Sequence, residues 1–177
     1  IYSDITGYGK TAAVIGLLVR DLMEWDRAKL YTHNSYIMHY GEGRILATES
    51  LKYEKINCNL ILVSQTLIKQ WEQELATTQL EYCSILAKKQ IPACNPTDFD
   101  VIIVSPTMYN SFMAHHNGNA SLPIVWKRFI FDEPGHTRVT SMKEIQAGFI
   151  WFVTATPNSI ITKHSGCRNS MIKTIIG

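Results

Sequence analysis

Lys10 and Thr11 directly follow the glycine-flanked stretch Gly7-Tyr8-Gly9 and directly precede a long apolar-periodic segment. Phosphate-binding loops have this order. Backbone N–H groups turn inward, a helix N-terminus adds partial positive charge, and a lysine reaches the outer phosphates. Thr6, Gly7, Tyr8 and Gly9 would form the loop. Lys10 would supply the charge, and Thr11 a hydroxyl able to hold a bridging Mg²⁺. The leading glycine of the usual G-x-x-x-x-G-K-[ST] pattern is Asp4 here. Gly-Lys-Thr also occurs in ordinary strand-to-helix turns, so both readings stand at this point. Two further clusters could do chemistry. Asp132-Glu133 closes an apolar run, where carboxylates can hold a metal or activate water, or simply end a strand. Thr154-Ala155-Thr156-Pro157 closes another, and outside any larger context it reads as a plain strand-ending turn.

The elements that must position these residues alternate. Val14, Leu18, Leu22 and Trp25 recur at helical spacing, predicting a helix over residues 10–27. Residues 28–57 change to Tyr, His, Asn and Ser and predict an irregular insertion, with a β-hairpin turning at Gly41 and Gly43. Cys58 to Val63 is a run suited to a strand covered on both faces, followed by Ser64 as an N-cap and by Leu67, Trp71 and Leu75 at four-residue spacing. Trp71 on that face reads as core. Glu81 to Leu86 predicts a short strand and 88–98, with Pro92 and Pro96, a loop. Phe99 to Val104 is another buried strand. Ser105 and Pro106 then start a helix that the polar stretch from His115 to Asn119 ends. Adjacent histidines without a Cys or carboxylate at ligand spacing read as a solvated loop. Ile124 to Phe131 and Gly148 to Val153 are further strands, the first interrupted by Lys127-Arg128, with an amphipathic piece from Met142 to Ala147 between them. Met171, Ile172, Ile175 and Ile176 allow one more short element. Nearly all-apolar strands alternating with helices predict an α/β fold, a central mostly parallel sheet with helices on both faces.

Composition narrows the class. The 177 residues suffice for one well-buried domain, and 46% hydrophobic with 18% charged residues describes a globular chain. A net charge of +2 neither demands nor excludes nucleic acid, so a basic surface would have to be local. Cys58, Cys83, Cys94 and Cys167 form no C-x-x-C pair and read as free thiols in a reducing compartment. No apolar run approaches the ~18 residues that span a bilayer. The expectation is a soluble intracellular protein with no membrane partner, its presumed first strand, Ile1-Tyr2-Ser3, suggesting a segment of a longer polypeptide.

Five signals follow in one order: the Gly-Lys-Thr loop, Leu-Val-Ser-Gln-Thr-Leu-Ile-Lys-Gln-Trp-Glu-Gln-Glu-Leu, Asp-Val-Ile-Ile-Val-Ser-Pro, Phe-Ile-Phe-Asp-Glu, and Thr-Ala-Thr-Pro. The set resembles the first RecA-like domain of superfamily 2 helicases and translocases. It is most similar to Swi/Snf remodelling ATPases and the DNA helicases of poxviruses and giant viruses, and Asp4 matches the Asp-x-x-Gly-x-Gly-Lys-Thr loop of the Swi/Snf group. The resemblance implies ATP and Mg²⁺ as cofactors, with Lys10 on the β and γ phosphates and Thr11 and Asp132 on the metal. Glu133 would orient and deprotonate the attacking water. Thr154, Ala155 and Thr156 would couple nucleotide state to nucleic acid, on a strand between those carrying Lys10 and Asp132. Ser64, Gln65, Thr66, Ser105, Pro106 and Thr107 would face the backbone of DNA or RNA without reading bases.

The resemblance further implies a nucleic-acid-dependent ATPase, with an adenine-gripping segment upstream and a second RecA-like domain beyond these residues. A viral origin would place the protein in the host cytoplasm or virion, a cellular one in the nucleus. Where the family reads Asp-Glu-x-His, Pro134-Gly135 shifts His136 by one position, which puts its coupling role in doubt, and Pro134 predicts an extended Glu133. Two other readings remain open: a catalytically idle structural relative, and a small-molecule P-loop kinase, which would leave the Gln-Trp and Thr-Ala-Thr-Pro stretches unexplained.

Overall fold

A strand made wholly of apolar residues must send alternate side chains to opposite faces and find cover for both. In the computed structural model, which describes residues 1–3, 9–39, 45–119 and 122–161, the central strands do this. In chain order the elements are β1 (Tyr2–Ser3), α1 (Lys10–Arg20), β2 (Tyr31–His39), β3 (Ile45–Lys55), β4 (Asn59–Leu62), α2 (Ile68–Leu75), β5 (Tyr82–Ile85), β6 (Val101–Val104), α3 (Pro106–Asn119), β7 (Ile124–Asp132), β8 (Ala147–Thr154) and α4 (Asn158–Ile161). Leu60 and Leu62 of β4 point with Ile102, Val104, Phe129 and Phe131 into one core, covered by Tyr109, Phe112 and Met113 of α3. Ile61 and Val63 point the other way with Val101, Ile103 and Ile130, beneath Val14, Ile15 and Leu18 of α1 and Ile68, Trp71 and Leu75 of α2. Each such buried side chain contributes roughly 1.5–3 kcal/mol.

The strands hydrogen-bond in the order β1-β8-β7-β4-β6-β5, every pair along that path being parallel. The expected α/β architecture, a mostly parallel sheet with helices on both faces, is therefore present. Between β1 and β7 lies β8, so the strand ending in Thr154 separates the strand leading to Lys10 from the strand ending in Asp132. β2 and β3 form an antiparallel hairpin, joined to the sheet where Glu54 and Lys55 pair in parallel with Ile124 and Val125 at the start of β7. The segment expected to be irregular is thus mostly paired strand, while its turn at Gly41 and Gly43 lies outside the described residues.

Several boundaries differ from the sequence reading. α1 stops at Arg20, because Asp21 adopts a left-handed φ of 37° and returns its N–H to the Leu17 carbonyl. Leu22, counted in the helical stripe, is 74% exposed. Trp25 packs by another route: its indole N–H donates to the Ile56 carbonyl at 2.9 Å, and its ring lies over Gly148, where an added Cβ would sit 2.3 Å from it. α2 begins at Ile68 with Leu67 before it, so Ser64 is not its cap; the Ser64 carbonyl instead accepts from Leu67 N–H in a turn. α3 starts at Pro106 as expected but continues through His115 and His116 to Asn119, with the His116 ring tilted against Phe112 at 4.5 Å between centroids. Residues 88–98 hold two short 3-10 turns, Lys88–Ala93 and Pro96–Asp98. Residues 142–146 are not helical, although Met142 and Ile145 are buried. Cys58, Cys83 and Cys94 are free, and among the described residues no helix is long and apolar enough to cross a membrane. Cys167 and the apolar positions 171–176 lie outside the described residues.

The interrupting Lys127 and Arg128 of β7 are buried, at 5% and 7% exposure, and both bind Asp21. Arg128 Nη2 donates to Asp21 Oδ1 at 2.7 Å and Nη1 to Asn59 Oδ1 at 3.2 Å, while Lys127 Nζ meets Asp21 Oδ2 and also reaches Asn57 Oδ1 at 3.0 Å. Partial burial raises the Asp21 pKa, but the hydrogen bonds and charges of Lys127 and Arg128 outweigh it and hold the carboxyl below its usual 3.8. The end of α1 is thereby tied to the middle of the central strand.

Candidate functional site

β1, β7 and β8 run parallel and end at one edge of the sheet, at Ser3, Asp132 and Thr154. α1 begins with Lys10, just after Gly9 in the left-handed conformation with φ 73°, and the Gly9 carbonyl accepts from Ala13 N–H at 2.9 Å. A Cβ on Gly9 would meet nothing within 4 Å, so backbone conformation, not space, favours glycine there. Asp4, Thr6, Gly7 and Tyr8 lie outside the described residues; Gly9, Lys10 and Thr11 carry the described part of the loop.

Asp132 is 6% exposed, and its Oδ2 accepts from the Trp71 indole N–H at 2.9 Å. Burial pushes its carboxyl above the usual 3.8. The Trp71 hydrogen bond opposes this, the neighbouring Glu133 charge adds to it, and the Lys10 charge opposes it. Asp132 therefore feels Lys10 across the edge, and added positive charge there would favour its ionised form. Beside Trp71 in α2, Gln70 Nε2 approaches the Thr11 hydroxyl at 3.5 Å.

Glu133 does not take the extended backbone expected before Pro134. Its φ is 47°, and its carbonyl accepts from both His136 and Thr137 N–H, at 3.0 and 2.9 Å. Such a conformation costs a non-glycine residue about 1–3 kcal/mol. The tight turn absorbs the extra residue and returns His136 to the edge, where its Nε2 lies 2.9 Å from Thr156 Oγ1. Both oxygens of the Glu133 side chain are engaged by the neighbouring strand: Oε2 accepts from Thr154 Oγ1 at 2.7 Å and Oε1 from Ala155 N–H at 2.8 Å. Thr156 N–H closes the cluster by donating to Thr154 Oγ1 at 3.0 Å. Asp132, Glu133, Thr154, Ala155, Thr156 and His136 thus form one contiguous group.

A cleft of about 450 Å³ opens beside it, lined by Ser64 and Gln65, by Pro106 and Thr107, and by Glu133 and His136. Ser64 and Thr66 share a hydroxyl hydrogen bond of 3.1 Å, as do Ser105 and Thr107 at 3.2 Å. Ser105 itself is 1% exposed, so in this pair Thr107 is the residue that meets the cleft. Arg138 also lines the cleft and brings a cation that the sequence reading overlooked. The other omission is the polar end of Trp71, counted only as core. A buried indole N–H usually finds an acceptor, and that tendency is the signal the sequence offers.

The oxygen donors at the edge, Thr11 hydroxyl and Asp132 carboxylate, suit a hard cation such as Mg²⁺. That ion commonly takes one or two protein groups and completes its shell with water and substrate phosphate. Among the described residues no group of three or more His, Cys, Asp or Glu side chains is arranged to hold a metal by itself.

No protein-family model and no curated protein sequence matches the chain. Among solved structures, a SWI2/SNF2 ATPase core from Sulfolobus solfataricus, described in complex with dsDNA, superposes with a TM-score of 0.63 at 16% identity. It covers 99% of this chain and 31% of that one. A second structure of a SWI2/SNF2 ATPase core domain from the same organism covers 63% of this chain and 25% of that one at 15% identity, with a TM-score of 0.41, too low to add to the comparison. The chain has the RecA-like α/β fold of the SWI2/SNF2 ATPase core and spans about a third of the length of the first of these structures.

Proposed function

We propose that the chain is the N-terminal motor half of a superfamily 2 ATPase of the Swi/Snf-like branch, hydrolysing ATP under the control of bound nucleic acid. The observation that carries the reading is the double engagement of the Glu133 carboxylate by Thr154 and Ala155, beside Asp132 and in the cleft also lined by Ser64, Gln65, Pro106 and Thr107. The proposed catalytic carboxylate and a surface suited to backbone phosphate line one cleft. The structural neighbour described with double-stranded DNA supports nucleic acid as the partner.

In this reading Lys10 and the N-terminus of α1 bind the β and γ phosphates, compensating their charge. Thr11 and Asp132 would hold Mg²⁺, which would supply positive charge to the outer phosphates. Glu133 accepts the proton of the water attacking the γ phosphorus as the bond to the β-phosphate oxygen breaks. Each oxygen of that carboxylate accepts one hydrogen bond, from Thr154 or Ala155, and keeps a lone pair for the proton, which links hydrolysis to the strand end between the two sites. Arginines from a second RecA-like domain would complete the site. Such groups contribute roughly 10³–10⁵ in rate in related phosphoryl-transfer enzymes, so these residues alone should turn over slowly.

The test is ATPase rate with and without DNA or RNA on the longest natural form of the chain. Stimulation by nucleic acid and its loss in Glu133→Gln are expected; no stimulation, or full activity in that variant, overturns the reading.

A further inference from the structure

Asp132 is placed by a helix from a different part of the chain. Trp71 lies in the first turns of α2, is 0% exposed, and packs its ring in the core beneath α1 and α2. Only its N–H is polar, and that group donates to Asp132 Oδ2 at 2.9 Å, across 61 residues of sequence. A ring held this tightly has one orientation, so the carboxylate oxygen it binds is fixed and the plane of the carboxylate is restricted. The preceding residue of the same helix, Gln70, reaches Thr11 Oγ1 at 3.5 Å, a weaker contact at the limit of hydrogen bonding. Adjacent residues of α2 therefore touch both side chains proposed to hold Mg²⁺.

The same helix is joined to the cleft. The Ser64 carbonyl accepts from Leu67 N–H at 3.0 Å, and the Leu67 carbonyl accepts from Trp71 N–H at 3.1 Å. With the indole bond to Asp132, these bonds form an unbroken path from the cleft wall at Ser64 to the carboxylate.

We infer that Trp71 is a positioning residue: its indole N–H holds the Asp132 carboxylate in the orientation that receives a nucleotide-bound divalent cation, and α2 connects that carboxylate to the Ser64 wall of the cleft. The inference rests on the nucleotide reading above. A hydrogen-bonding partner behind a metal ligand typically contributes about 10–100-fold in metal affinity, and an effect of that size is expected here.

The experiment measures Mn²⁺ binding by electron paramagnetic resonance on the full chain with a non-hydrolysable ATP analogue, for the wild type and for Trp71→Phe, which keeps an aromatic ring but removes the donor. Mn²⁺ affinity about 10–100-fold weaker in Trp71→Phe, with nucleotide affinity in EDTA unchanged, supports the inference. Equal Mn²⁺ affinity in a folded variant overturns it. A wild type that binds no nucleotide overturns the nucleotide reading and this inference with it. Should Trp71→Phe fail to fold, the wild-type indole N–H resonance of Trp71 decides. A shift on adding Mg²⁺ and the analogue, beyond that produced by the analogue alone, supports the role, and an unmoved resonance overturns it.

Discussion

Replacing Asp21 with asparagine removes one negative charge from beneath two buried cations and changes little else. Asparagine tolerates the left-handed φ of 37° at this position, so the backbone reason for the end of α1 is kept. Lys127 and Arg128 are at least nine-tenths buried, and after the substitution neither retains an anionic partner among the described residues; Asn57 and Asn59 still offer each a neutral oxygen. Removing one member of a buried ion pair costs about 3–5 kcal/mol. Because the Asp21 side chain is 37% exposed, water can reach the gap, and the lower end, ~3 kcal/mol, is the appropriate expectation. At about 2–4 °C per kcal/mol for a chain of this size, Tm should fall by roughly 6–12 °C. Thermal melts and urea denaturation at neutral pH would measure this, and Asp21→Asn placed on Lys127→Met should cost less, since one stranded cation is then absent. A Tm within ~2 °C of the wild type would refute the argument that the pair of buried cations depends on this carboxylate. The sign with pH follows. Asp21 has its pKa lowered by folding, so its contribution is present above the unfolded value and is lost as pH falls through the folded one.

Gly148→Ala would drive a methyl group into the Trp25 ring and should cost about 1–3 kcal/mol, with Trp25→Phe relieving part of it; denaturation midpoints of the single and double variants check this. Ser141 is exposed with a φ of 46°, so Ser141→Gly should stabilise the chain by about 0.5–1 kcal/mol, the left-handed strain relieved exceeding the extra unfolded-state entropy. Burial, reinforced by His115, pushes the His116 pKa down to about 4, so the unfolded chain binds more protons and stability should fall as pH drops from 6.5 toward 4. His116→Gln should flatten that part of the profile, read from urea midpoints at pH 7 and pH 5.

The central strands could be read directly from sequence because burial on both faces leaves few polar positions: Cys58 to Val63 carries only Asn59 and Phe99 to Val104 only Asp100. The order of the strand ends followed from the resemblance, and the sheet has it. Local periodicity failed where a distant group set the local conformation. Leu22 and Trp25 continue the spacing of α1, yet Asp21 ends the helix in contact with residues more than a hundred positions away. The polar run from His115 to Asn119 carries turn-like composition, yet it is helical, and His116 packs its ring against Phe112 one turn earlier. At the site, residue types were legible and their partners were not. Pro134 indicated an extended Glu133, whereas the bonds from Thr154 and Ala155 accompany a left-handed one. Trp71 announced its apolar body and concealed its donor.

Thr154 has almost no freedom to travel. β8 is bonded to β7 from Ala147 to Val153 and to β1 at Val153 and Thr154, and the Val153 carbonyl also accepts from Glu133 N–H at 2.8 Å. A strand clamped on both sides cannot slide without breaking the sheet. In the proposed motor, a signal crossing this edge between phosphate and nucleic acid would be rotameric: a hydroxyl turning, a carboxylate swinging from one donor to another, an imidazole exchanging Thr156 for a ligand. Such a device would be a latch and not a lever, with discrete positions and displacements of a few ångströms set by side-chain torsions.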